Sequence, residues 1–110
     1  MGDAGTTATE APVLSTRLVQ VVRTYCLGLE GRTLRDLRDS VASGRYPWLH
    51  EELRAALARD AFSPQEWERY VGVAGDGRES VLRLMRRQQQ QVWSVVFPDD
   101  GFPGRTAPGG

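Results

Sequence analysis

The side chains best able to do chemistry are few and far apart. His50 is the sole histidine and Cys26 the sole cysteine. A metal site needs several ligands at fixed spacing, such as two histidines four apart on a helix face, and these two residues cannot supply one. A nucleophilic triad would have to use His50 as its base, yet no elbow motif marks a nucleophile for it. His50 therefore reads as a surface or boundary residue and Cys26 as a small core residue. Adjacent carboxylates occur at Glu51 and Glu52 and at Asp99 and Asp100, with Glu66 and Glu68 two apart. General acid–base work needs one carboxyl in a desolvated pocket, and these lie on polar faces or in a tail.

All 14 basic residues are arginine, against 14 acidic ones. Without lysine there is no Schiff-base chemistry, no lysine general base and no lysine-dependent phosphate loop. Gly72, Gly75 and Gly77 precede a helix start, where an anion could bind. No predicted strand feeds that loop, so neither the dinucleotide nor the P-loop context is met. Catalytic, cofactor-binding and metal residues are accordingly expected to be none, and no cofactor is implied.

Recognition is the chemistry that remains. Arg83, Arg86 and Arg87 cluster on one face of the last helix, followed by Gln88, Gln90 and Gln91. Arginine beside an exposed tryptophan is the usual composition of a protein-binding hot spot, and three tryptophans are generous for so small a core. Trp48, Arg83, Arg86 and Arg87 are the expected partner-binding residues. The balanced charge disfavours nucleic acid, because three arginines supply only a modest salt-dependent attraction. The second and third helices can also be read as a helix-turn-helix, which makes a small DNA-binding regulator the alternative. Against it, Glu51 and Glu52 stand near the start of the recognition helix, where phosphates would be repelled.

The elements that position these residues are helical throughout. Leu14, Leu18, Val21, Val22, Tyr25 and Leu29 recur at spacings of three and four, predicting a first helix over 15–29 with Ser15 as cap and Gly31 as left-handed stop. Thr33 to Asp36 opens a second helix, with Leu34, Leu37 and Val41 on its apolar stripe and Gly44 at its end. Pro47 suits the first turn of a third, whose apolar positions are Trp48, Leu49, Leu53, Ala56 and Leu57. Ser63-Pro64-Gln65-Glu66 is the clearest signal in the chain: a capping box with proline at the first helical position, and Phe62 placed to staple onto Trp67. The last helix is predicted over 78–97, capped by Asp76 with Glu79 at the matching third position and stopped by Pro98. Its Leu82, Met85, Gln89, Val92 and Val96 follow a coiled-coil rhythm. Those residues form either the central core helix of a bundle or a homo-oligomer seam.

The fold class expected is all-α, a compact bundle or orthogonal array of four to five helices in one domain over 13–97. Flexible tails are expected over 1–12 and 98–110; seven of the last thirteen residues are Pro or Gly. No run of about 18 apolar residues exists to cross a bilayer. The N-terminus lacks a signal-peptide pattern, so a cytoplasmic location is expected. Together these readings predict a small non-enzymatic interaction module, a regulator, adaptor or inhibitor-type partner of another protein.

Overall fold

The computed structural model describes residues 14–104. The tail expected over 1–12 and the part of the C-terminal tail beyond residue 104 lie outside the described residues. Among those described, the chain is all-helical, with five α-helices and no strand.

Helix α1 spans Thr16–Tyr25, and the Ser15 hydroxyl accepts the Leu18 backbone N–H at 3.1 Å. The helix ends earlier than its apolar spacing predicts. A single 3-10 turn covers Leu27–Leu29, with Gly28 at φ 77 and Leu29 at φ 52. Gly28 takes the left-handed role expected of Gly31, since the backbone reverses as soon as a residue without a Cβ permits it. Gly31 instead opens α2, Gly31–Ala42, two residues ahead of the expected start at Thr33. Gly44 (φ 86) closes α2 as expected.

The Tyr46-Pro47-Trp48 turn leads into α3, Leu49–Ala58. Helix α4, Pro64–Val71, begins where the sequence predicts and has both halves of the capping box. Glu66 N–H donates to the Ser63 hydroxyl at 3.1 Å, and Ser63 N–H donates to the Glu66 carboxylate at 3.3 Å. The staple forms as well, with the Phe62 and Trp67 rings edge-to-face at 5.2 Å. Helix α5 is Val81–Val96, and its cap is Ser80, whose hydroxyl accepts Arg83 N–H at 3.2 Å. Asp76, the expected cap, accepts Arg78 N–H at 2.9 Å within the preceding loop, where Gly77 stands at φ 88. Two cap signals four residues apart competed here, and the one followed by an unbroken run of helix formers prevailed.

Helix α5 packs along α2 and α4, while α1 is flanked by α2, α3 and α4. The core gathers Leu18 and Val22 from α1, Leu34 and Leu37 from α2, Leu49, Leu53 and Leu57 from α3, Trp67 and Val71 from α4, and Met85, Val92, Trp93 and Val96 from α5. Leu82, expected in this core, is 38% exposed. It sits in the first turn of α5 beside Val81, which is also exposed. Tyr25, Val41 and Trp48 are half-buried at the margin.

Residues 98–104 fold back onto the helices. Trp93 Nε1–H donates to the Asp100 carbonyl at 3.0 Å, and Phe102 packs against the core. No helix among the described residues is long and apolar enough to cross a membrane.

Candidate functional site

Trp48 lies in the turn before α3, where Pro47 directs the chain and Leu49 anchors it in the core. The half-buried rings of Tyr25, Tyr46 and Trp48 form a short edge-to-face series, with centroids 6.0 and 5.9 Å apart. The two tyrosine hydroxyls are hydrogen-bonded at 3.1 Å. That bond is the largest cause of a lowered Tyr25 pKa and a raised Tyr46 pKa, and the nearby Arg45 acts to lower both. The guanidinium of Arg17 covers the Trp48 ring, 4.5 Å from its centroid. At an exposed site such a cation–π contact contributes about 0.5–1 kcal/mol.

Arg17 is held there by Glu52, which it contacts through both Nε (2.9 Å) and Nη2. The Ser15 hydroxyl donates to the other Glu52 oxygen at 2.6 Å. The Arg17 bonds, followed by the Ser15 bond, hold the Glu52 carboxyl below its ordinary pKa. Arg17, Tyr25, Arg45, Tyr46 and Trp48 wall an open cleft of about 420 Å³.

Arg83, Arg86 and Arg87 do not form one free surface. Arg83 is exposed and makes no ion pair among the described residues. Arg87 donates to Glu79 at 2.6 Å, which raises its already high pKa. Arg86 points the other way: its side chain is only 16% exposed, Nη2 meets Asp60 at 2.9 Å, and Nε is buried without a hydrogen-bond partner. It ties α5 to the end of α3, where Asp60 sits at φ 54. Gln88, read with the outward glutamines, is buried and accepts the Trp67 indole N–H at 2.9 Å. Gln89 is also buried, so four of the five seam residues (Met85, Gln89, Val92 and Val96) are covered by this chain's own helices.

His50 is bonded through Nε2 to the Asp100 carboxylate at 2.6 Å, and its ring stands edge-on to Phe97 at 4.8 Å. A carboxylate that orients an imidazole is one half of a triad. The other half is missing among the described residues, because no hydroxyl or thiol meets the second ring nitrogen. Cys26 is 1% exposed, and burial pushes its thiol up to about 12. A thiol in that state is a poor nucleophile. The described residues contain no cluster of three or more His, Cys, Asp or Glu placed to hold a metal ion. Glu68 and Glu79 line the hollow beside Gly75 and Gly77, which opposes anion binding at that loop.

No family model, curated protein or solved structure matches this chain. The site must be judged on its own geometry. Sequence reasoning picked out Trp48 and missed Arg17, Tyr25, Tyr46 and Arg45 as its companions. Tyr46 stands two residues from Trp48, a proximity visible in the sequence. Arg17 is 31 positions away, and only the packing of α1 on α3 brings it over the ring.

Proposed function

We propose that this chain is a non-enzymatic protein-interaction module that captures its partner through the Trp48 cleft. The observation that carries this reading is the half-buried Trp48 ring, flanked by Tyr46 and Tyr25 and covered by Arg17. Tryptophan, tyrosine and arginine are the residues that dominate binding energy at protein interfaces. Here they are already ordered by one another, so little side-chain entropy is lost when a partner arrives. A regulator, adaptor or inhibitor-type partner fits a surface of this kind. Arg83 and Arg87 add exposed charge elsewhere, whereas Arg86 serves the scaffold.

The test compares capture from cell extract by immobilised wild type and by Trp48→Ala, with helical circular dichroism as the control for folding. Truncating a hot-spot tryptophan costs about 2 kcal/mol or more of binding free energy, a loss of roughly thirtyfold. Specific capture should therefore fall away while the helical signal stays. Capture unchanged by Trp48→Ala, or catalytic turnover that depends on His50 or Cys26, overturns the reading.

A further inference from the structure

Residues 98–104 leave α5 and lie against α3 without forming helix or strand. Asp100 meets His50 in the first turn of α3. Further on, a Cβ at Gly104 would stand 3.3 Å from the carbonyl oxygen of Leu57, in the last turn of the same helix. From His50 to Leu57 the helix rises about 10 Å, and the extended chain from Asp100 to Gly104 covers roughly 13 Å. The segment therefore follows α3 from one end to the other.

The contacts that hold it are of the kind a receptor makes to a peptide. Asp100 is gripped twice: the Trp93 indole N–H donates to its carbonyl at 3.0 Å, and His50 Nε2 meets its carboxylate at 2.6 Å. Two residues on, the half-buried Phe102 ring packs on the core, and Pro103 fixes the backbone that follows it. Gly104 completes the fit, since a Cβ there would also stand 2.8 Å from the Phe102 ring. The only backbone–backbone bond the segment makes among the described residues is Asp100 N–H to the Phe97 carbonyl, at 3.1 Å. The His50 and Asp100 side chains are 41% and 49% exposed, so their pairing is screened by solvent and easily exchanged. Such a segment belongs to the low-stability end of a fold, able to leave while the helices stay formed.

We propose that this face of α3 and α5 is a peptide-binding site that the chain occupies with its own C-terminal strap, and that a partner protein displaces the strap with a segment of the same chemistry. That segment is extended and places a carboxylate two residues before an aromatic–proline pair, as Asp100, Phe102 and Pro103 do. Its backbone carbonyl takes the Trp93 indole N–H, its carboxylate takes His50, and its ring takes the place of Phe102. Proline-restricted peptides suit such aromatic-lined surfaces because they have less conformational freedom to lose on binding. The tether holds the strap at an effective concentration in the millimolar range, so the site stays closed to weak competitors until a better-matched segment arrives. It shares no residue with the Trp48 cleft.

The test titrates a fluorescently labelled peptide of the 97–104 sequence into full-length wild type and into full-length protein carrying Asp100→Asn and Phe102→Ala together, with anisotropy as the readout. The double variant weakens its own strap, so it should bind the peptide with a Kd lower than that of wild type by roughly tenfold or more. The same peptide carrying both substitutions should bind neither protein, and His50→Ala added to the double variant should weaken capture again. Asp100→Asn alone alters only an exposed side chain and should give an intermediate gain, which keeps the test decisive if the double variant loses its helical circular dichroism. Equal affinity for wild type and the strap variants, no binding at millimolar peptide, or binding indifferent to His50→Ala overturns the proposal.

Discussion

The buried hydrogen bond between Trp67 and Gln88 gives the sharpest test of how this scaffold is held. Trp67 is 2% exposed and Gln88 4%, and the indole N–H meets the amide oxygen at 2.9 Å. Gln88→Met keeps an unbranched side chain with similar helix propensity but removes the acceptor. The indole N–H is then buried without a partner, at a cost of about 1–3 kcal/mol. Part of this is offset by the apolar surface that methionine buries, so the single variant alone is a blunt instrument. The cycle with Trp67→Phe isolates the bond. Trp67→Phe loses both packing on Phe62 and the donor, while in the double variant neither polar group remains to be left unsatisfied. The double variant should therefore be more stable than the sum of the two single costs by about 1 kcal/mol, which in a domain of this size is about 4–8 °C of Tm. Urea unfolding followed by far-UV circular dichroism on all four proteins measures the coupling, with an unchanged m-value as the two-state check. Costs that add within about 0.5 kcal/mol would refute the claim that this bond joins α4 to α5.

Three further outcomes are expected. Because burial raises the Cys26 thiol from 9.0 to about 12, the unfolded chain ionises first as pH rises. Stability that is full below pH 9 should decline towards pH 12, more steeply in wild type than in Cys26→Ala, and iodoacetamide should label the thiol at neutral pH only once denaturant is added. Glu52 shows the opposite sign: its depressed carboxyl stabilises the fold above the ordinary value of 4.5, and that contribution is lost as pH falls through the folded value. Glu52→Gln should flatten the acid limb of the stability curve and, by releasing Arg17, alter the fluorescence of Trp48; an unchanged acid limb counts against the Arg17–Glu52–Ser15 arrangement. Asp100→Asn replaces the carboxylate that meets His50 with a neutral amide, so amide hydrogen exchange over 98–104 should quicken while α5 stays protected; equal exchange in both proteins argues against a latch.

What the sequence disclosed depended on how far apart the interacting residues lie. Ser63 and Glu66 are three residues apart and their geometry is local, so the α4 start was legible to the residue. The starts of α2 and α5 were misplaced because each had rival signals nearby, and the outcome turned on Gly28 and Gly77 adopting positive φ. The helical character and most of the core followed from apolar spacing, which records burial directly. Side-chain roles on α5 did not. Helical periodicity groups Arg83 with Arg87, four residues on, but it cannot disclose that Asp60 waits 26 positions upstream for Arg86 or that Trp67 waits 21 positions upstream for Gln88.

The same polar partners explain why Trp48 differs from the other two tryptophans. An indole buried in a core needs an acceptor for its N–H. Trp67 obtains one from Gln88 and Trp93 from the Asp100 carbonyl, and both rings are then enclosed. The Trp48 indole has no acceptor among the described residues, and its ring is covered by a guanidinium on a side chain that is 55% exposed. A solvated arginine can swing away, or stay and be sandwiched, when another surface approaches; a packed methionine or leucine in its place could not. Composition alone pointed to a tryptophan beside an arginine as the recognition element. The proposed site is drawn at Arg17 and Trp48 because the fold commits Arg86, Trp67 and Trp93 to internal bonds and leaves these two at the surface.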